Sequence, residues 1–245
     1  EEYYFKAAEV SASGFLHKRI LYDDSHMKMR SKRWIEASEG LKKLISLGNS
    51  GKSDQLFESA RFMQIKSLIG STNIVEAGLL LQQIRDTTGE NLNEAVLLMA
   101  QANVLVGNLG DAEEYLVQLN SNKASGESLL AAAELENIRI QVKKRKWTEA
   151  IALYGKWLEN YPSHSHAAEV RLDRAWALSV SGQVQGAETA YDEIIQRHPK
   201  SYAAYVSKMW KADRMFNSKS DPLAAERLFQ EIAGSTNTPP QLRYR

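Results

Sequence analysis

Cysteine is absent from the 245-residue chain, which removes disulfides, thiolate nucleophiles and cysteine-based zinc sites together. Proline is scarce, at 5 residues, and no apolar run approaches the roughly 18 residues that a membrane-spanning helix requires. An excess of one charge is missing too. The 31 basic side chains meet 30 acidic ones for a net charge of +1, so the chain as a whole does not advertise for nucleic acid or an anionic membrane. Catalytic signatures are lacking: there is no phosphate-cradling glycine-rich loop, no HExxH and no GxSxG. The sequence therefore assigns no catalytic residue, no cofactor and no metal site. The first residues, EEYYFKAAEV, carry neither an initiator methionine nor a signal-peptide pattern. The last, TPPQLRYR, read as the start of another helix, so the chain is expected to be part of a longer one.

What the chain has instead is a repeat. The segments KWTEAIALYGKWLENYP and QVQGAETAYDEIIQRHP superimpose with Ala150 on Ala187, Tyr154 on Tyr191, Trp157 on Ile194 and Pro162 on Pro199, each pair 37 residues apart. A small residue, an aromatic four later and an apolar residue three beyond that mark one stripe of a helix. Proline then ends it, having no N–H and barring helical geometry at the residue before it. The same register recurs on Ala37, Ala77, Ala112, Ala150, Ala187 and Ala225, spaced 40, 35, 38, 37 and 38 residues apart. Four positions after these anchors stand Leu41, Leu81, Leu116, Tyr154, Tyr191 and Phe229; seven after stand Leu44, Ile84, Leu119, Trp157, Ile194 and Ile232. Each anchored segment is predicted to be a helix preceded by another. The preceding helices carry their own stripes: Phe62, Ile65, Ile69; Leu97, Ala100, Val104; Leu135, Ile138, Val142; Leu172, Ala175, Ser179. In the first unit Tyr22 and Met29 fit and Ser25 does not, and in the sixth Met209, Ala212 and Phe216 fit one residue out of step. Alanine at the anchor lets two helices approach to about 8–10 Å without the helix cost of glycine. One pair cannot bury both of its faces, so stacking stabilises the array.

Charged and polar clusters have structural readings. Glu36, Glu76, Asp111 and Glu149 each precede an anchor, in the first turn of a helix, where negative charge suits the positive helix end. His164 and His166 fall short of the three or four ligands of a zinc site and are read as a polar connector. Two basic runs, Lys28-Met-Arg30-Ser-Lys32-Arg33 and Lys143-Lys144-Arg145-Lys146, precede Trp34 and Trp147 in the same turn of their repeats. They can contact phosphates or lipid headgroups, or serve as favourable charge at a helix C-terminus. The second reading is preferred for a chain of net charge +1.

A large residue three before the anchor, as at Trp34 and Trp147, the alanine, the aromatic four later and the proline at the helix end resemble the tetratricopeptide repeat. The resemblance runs from about residue 17 to 233 and is best in the fourth and fifth units. ENYPSHSHAAEVRLDRAWALSVSGQVQGAETAYDEIIQRHPKSYAAY is similar to the divergent repeats of bacterial envelope proteins, such as the outer-membrane assembly lipoprotein and the Tol–Pal-associated periplasmic coordinator. This implies an all-α, right-handed superhelical solenoid of about six helix-turn-helix repeats in a single array. The expected repeats are 17–48, 53–87, 91–120, 127–162, 163–199 and 200–234, with an extra N-terminal helix within 1–16 and a further helix starting in 235–245. It also implies that first helices line a concave face. The column eleven residues before each anchor reads His26, Lys66, Gln101, Arg139, Trp176 and Arg214, with Lys143 and Trp210 near the same face. A groove of Lys66, Arg139, Lys143, Trp176, Trp210 and Arg214 would suit a protein or peptide partner that is acidic or ends in a carboxylate. The alternative is that Trp176 packs inward and the others are ordinary surface. The expected function is a non-catalytic scaffold that binds a partner protein, in a bacterial envelope or other multi-protein complex. Two rivals stand beside it: a scaffold that self-associates through its ends, and a helical segment accessory to a cell-wall lytic enzyme whose catalytic domain lies outside this piece. The expected location is the periplasm or envelope, with the cytoplasm as the alternative.

Overall fold

The computed structural model describes residues 14–48, 55–84, 90–121 and 126–234. The extra N-terminal helix and the helix expected to start in 235–245 lie outside the described residues. Among the described residues every regular element is helical. First and second helices alternate: α1 (Gly14–Arg30) and α2 (Trp34–Ser46), α3 (Gln55–Gly70) and α4 (Ile74–Gln83), α5 (Glu90–Val106) and α6 (Leu109–Ser121). They continue as α7 (Glu127–Lys143) and α8 (Trp147–Asn160), α9 (Ala167–Val180) and α10 (Val184–Arg197), α11 (Tyr202–Ser218) and α12 (Pro222–Gly234). The chain packs as two compact units, Glu1–Glu136 and Asn137–Arg245, with the division inside α7. Within the first unit α2 packs on both α1 and α3, and α5 packs on α3, α4 and α6. Within the second, α9 packs on α8, α10 and α11, and α11 packs on α10 and α12. The fold is the expected all-α solenoid of stacked helix pairs.

The six anchors are equivalent in the backbone. The N–H of Ala37, Ala77, Ala112, Ala150, Ala187 and Ala225 donates to the carbonyl four residues earlier, at Arg33, Asn73, Asn108, Lys146, Gln183 and Asp221. That is the first hydrogen bond of each second helix, so every anchor sits one turn inside the helix start. All six alanines are fully buried, as are Leu41, Leu44, Ile194 and the large Trp157 and Tyr191. Burying a Leu or Phe side chain fully stabilises by about 1.5–3 kcal/mol relative to exposure. Phe229, in the last pair, stays half-buried.

Five of the turns share one geometry. Lys32, Thr72, Gly107, Arg145 and Gly182 have positive φ, and the next residue's N–H reaches back five residues, as from Arg33 to Lys28 O and from Lys146 to Gln141 O. This left-handed C-cap closes the last carbonyls of the first helix and turns the chain into the second. The sixth turn is one residue longer. Lys219 is its left-handed residue, but Ser220 intervenes before Asp221, whose Oδ1 caps the Ala224 N–H at 2.9 Å. That extra residue is why the stripe of α11 runs one position out of step.

Ser25 corrects the sequence reading, which left it outside the stripe. It is fully buried, its Oγ donates to Leu21 O at 2.7 Å, and it sits against Gly40. A hydroxyl that bonds its own preceding turn is satisfied and occupies little more space than alanine. Ser67 and Ser207 are buried in the same manner, bonded to Met63 O and Ala203 O.

Candidate interaction surface

In the first unit, His26 and Lys66 are exposed on α1 and α3. Gln101, on α5, is half-buried, and its Nε2 donates to Glu136 Oε1 at 3.2 Å. Gln101 therefore holds a buried carboxylate of the next first helix rather than facing a ligand alone.

In the second unit, Arg139 and Lys143 are exposed on α7, one helical turn apart. Arg139 lies within electrostatic reach of Asp173 on α9. Asp173 reaches solvent, yet the protein around it desolvates the carboxylate and holds it above its ordinary value, against the pull of Arg139 and with a further push from Glu169. Burial raises the Tyr154 hydroxyl well above the ordinary tyrosine range, with Asp173 adding to the effect.

Trp176 answers both sequence alternatives at once. Its ring meets Trp147 edge to face, with centroids 5.5 Å apart and planes at 80°, yet 45% of the residue remains exposed. Such a pair is worth about 0.5–1.5 kcal/mol beyond area burial. Trp210 is half-buried and stacks on Tyr191 at 4.3 Å, where burial pushes the tyrosine hydroxyl up to about 12.

Arg214 does not hold the position that the column gave it. Counted back from the left-handed turn residue, Trp176 is six before Gly182, Arg139 six before Arg145, and the residue six before Lys219 is Asp213. Because Ser220 lengthens the turn, the α11 member of the column is an acid, and Arg214 is rotated about 100° from it. Arg214 instead donates from Nε to Glu188 Oε1 on the second helix α10 at 2.6 Å and lies over the Trp210 ring. Its neighbour Lys211 is ion-paired with Asp192 of the same helix. These cations join α11 to α10.

The histidines also have structural places. His164 packs edge to face on buried Trp157 at 5.2 Å, and its Nδ1 accepts from the His166 backbone N–H at 3.2 Å. His198 Nε2 lies 3.4 Å from Arg171 Nη1. Desolvation and the charges of Arg171 and Arg197 hold His198 below its ordinary value. Among the described residues no three His, Asp or Glu side chains gather as a metal site. No described helix is long and apolar enough to cross a membrane.

The sequence reading missed Asp173, Asp213 and the contact of Trp147 with Trp176. The aspartate-proline at 221–222 was the available signal for Asp213, because it marks a cap followed by the first helical residue and so reveals the longer turn.

No protein-family model matches the chain, and no curated protein matches it. Among solved structures it is similar to a kinesin-light-chain-like protein of Podospora anserina with nearly identical TPR-like repeats, at 17% identity and a TM-score of 0.57, covering 72% of this chain and 92% of that one. The TPR2AB domain of yeast Sti1 in a pHSP90 complex aligns at 17% identity over 94% of this chain and 98% of that one, but its TM-score of 0.39 is too low to support a likeness of fold. The first likeness and the six equivalent anchors together place this chain among folds built from TPR-like helix pairs.

Proposed function

We propose that this chain is a non-catalytic scaffold that binds a partner protein through the first-helix face of its second unit. Trp176 carries the reading: a large aromatic in the middle of a first helix, clamped by Trp147 and still 45% exposed, is the kind of rigid anchor on which protein interfaces concentrate their energy. Arg139 and Lys143 supply charged rim positions. A work site in a bacterial envelope is part of the proposal, supported by the likeness of residues 159–205 to envelope repeats and by the lack of cysteine. Fractionation of the producing cells tests that location.

The binding face is tested by the affinity of a partner recovered on the immobilised chain. An Arg139→Ala/Lys143→Ala/Trp176→Ala variant loses that affinity while its thermal midpoint falls only by the share due to the Trp pair. Unchanged affinity would refute the assignment of the face. Self-association is a second reading, favoured by an open groove of about 750 Å³ between α11 and α12, lined by Met209, Phe216, Pro222 and Phe229. A molecular weight that stays monomeric at all concentrations in sedimentation equilibrium would remove it.

A further inference from the structure

The α7–α8 turn concentrates positive charge beside the exposed tryptophan. Lys143, Lys144, Arg145 and Lys146 are all exposed. The turn is held rigid by Arg145 in the left-handed conformation (φ 56) and by the Lys146 N–H bond to Gln141 O at 2.9 Å. Glu149 is the only acid from 143 to 149, and its contact with Lys146, at 3.4 Å, is open to solvent on both sides. The next residue after these cations is Trp147, whose ring touches Trp176. One turn along α9 from Trp176, Val180 is 48% exposed. Four cations and an apolar patch are therefore joined through one indole.

We propose that the Lys143–Lys146 turn, Trp147, Trp176 and Val180 form a docking site for an acidic segment of a partner protein, which lays carboxylates along the turn and an apolar side chain against Trp176 and Val180. This rests on the scaffold reading and names the chemistry of its partner. Charge complementarity selects the occupant. A nucleic acid or an anionic bilayer draws its affinity from cations spread over a wide face. Here the cations beside Trp147 and Trp176 are the four of a single turn, in a chain with net charge +1. A few carboxylates match that turn, and Arg145 can hold one through two parallel hydrogen bonds. A base could stack on the Trp176 indole alone, whereas the exposed aliphatic Val180 one turn along suits an apolar side chain.

The test titrates the full chain into a fluorescein-labelled peptide of alternating glutamate and serine with one central phenylalanine, followed by anisotropy. The peptide binds saturably, binding weakens with added salt because exposed charges are screened, and the same peptide with serine in place of phenylalanine binds less tightly. A Lys143→Gln/Lys144→Gln/Lys146→Gln variant, altered only at exposed positions, loses about tenfold or more in affinity, and Trp176→Ala does likewise. Lys42→Gln, at an exposed cation of α2 in the first unit, binds as the unaltered chain does. Equal affinity in the triple variant overturns the proposal. So does the absence of peptide binding under conditions where polythymidine or phosphatidylserine vesicles bind. Either failure leaves the scaffold reading standing, because that reading is judged on a recovered partner and not on this peptide.

Discussion

Replacing Gly70 by alanine drives a methyl group into the face of Trp34. A Cβ built at Gly70 would lie 2.5 Å from Trp34 Cδ2, 2.8 Å from Cε3 and 2.9 Å from Cε2. Carbon pairs attract best at about 3.5–4.0 Å, so the indole must retreat by roughly 1 Å. The ring is rigid, it opens α2, and it is packed against the core cluster of Leu41, Leu44 and Phe57. Overpacking of this kind costs about 1–3 kcal/mol. Against it, alanine gains about 0.5–1 kcal/mol over glycine in a helix. The net expectation is a loss of about 1–2 kcal/mol, or about 2–4 °C in thermal midpoint per kcal/mol for a chain of this size. Gly155→Ala is the internal control: it lies inside α8, and among the described residues the atom that its Cβ would meet outside its own helix backbone is Arg174 Nε at 4.0 Å. The same helix term acts there without the clash, so Gly155→Ala stabilises by about 0.5–1 kcal/mol. Circular dichroism melts of both variants, with Trp34→Leu/Gly70→Ala as the relief of the clash, settle the sign. If Gly70→Ala stabilised as much as Gly155→Ala, the packing of Trp34 on α3 would be refuted.

Other outcomes follow from single sites. Thr72 is β-branched with φ 65, so Thr72→Gly should stabilise by about 1 kcal/mol in melts; a destabilisation would contradict the left-handed turn. The folded Asp173 carboxyl titrates above its unfolded value, so its stabilising contribution is present at low pH and is lost as pH rises through the folded value. Asp173→Asn should therefore melt higher than the unaltered chain at pH 7, with the gap closing below the ordinary aspartate value of about 4; a gap that widens in acid would refute the desolvated placement. His198 titrates below its unfolded value, so its contribution is present above the ordinary histidine value of about 6.5 and is lost as pH falls through the folded value. His198→Gln should flatten the fall in melting temperature through that window, and an unchanged slope would deny the contact with Arg171.

The parts of the fold that sequence made legible are those decided within one helix. The alanine anchors and the apolar residues four and seven beyond them repeat because each second helix must bury the same stripe, and local periodicity records that need. Ser25 was misread because polarity alone says nothing about a hydroxyl that bonds its own preceding turn. Arg214 was misplaced for a different reason: one extra residue in a turn rotates a whole helix relative to the anchor that follows it. The sequence stripe already carried that slip through Ala212, and applying it to the neighbouring column leads to Asp213. The Trp147–Trp176 pair and the approach of Asp173 to Arg139 join different repeats, and no spacing along the chain announces which long side chains meet across a stack. The division inside α7 is equally silent, since it falls in a continuous helix with no change of composition.

The direct test of a first-helix binding face is site-specific photo-crosslinking. Benzoylphenylalanine is placed singly at Lys143 or Trp176 on first helices, and at Ala152 or Thr189, exposed on the second helices α8 and α10. Each full chain is irradiated in the presence of a purified partner. The account predicts adducts from the Lys143 and Trp176 positions and none from Ala152 or Thr189. Adducts confined to Ala152 and Thr189 would contradict it and move the interface to the second helices.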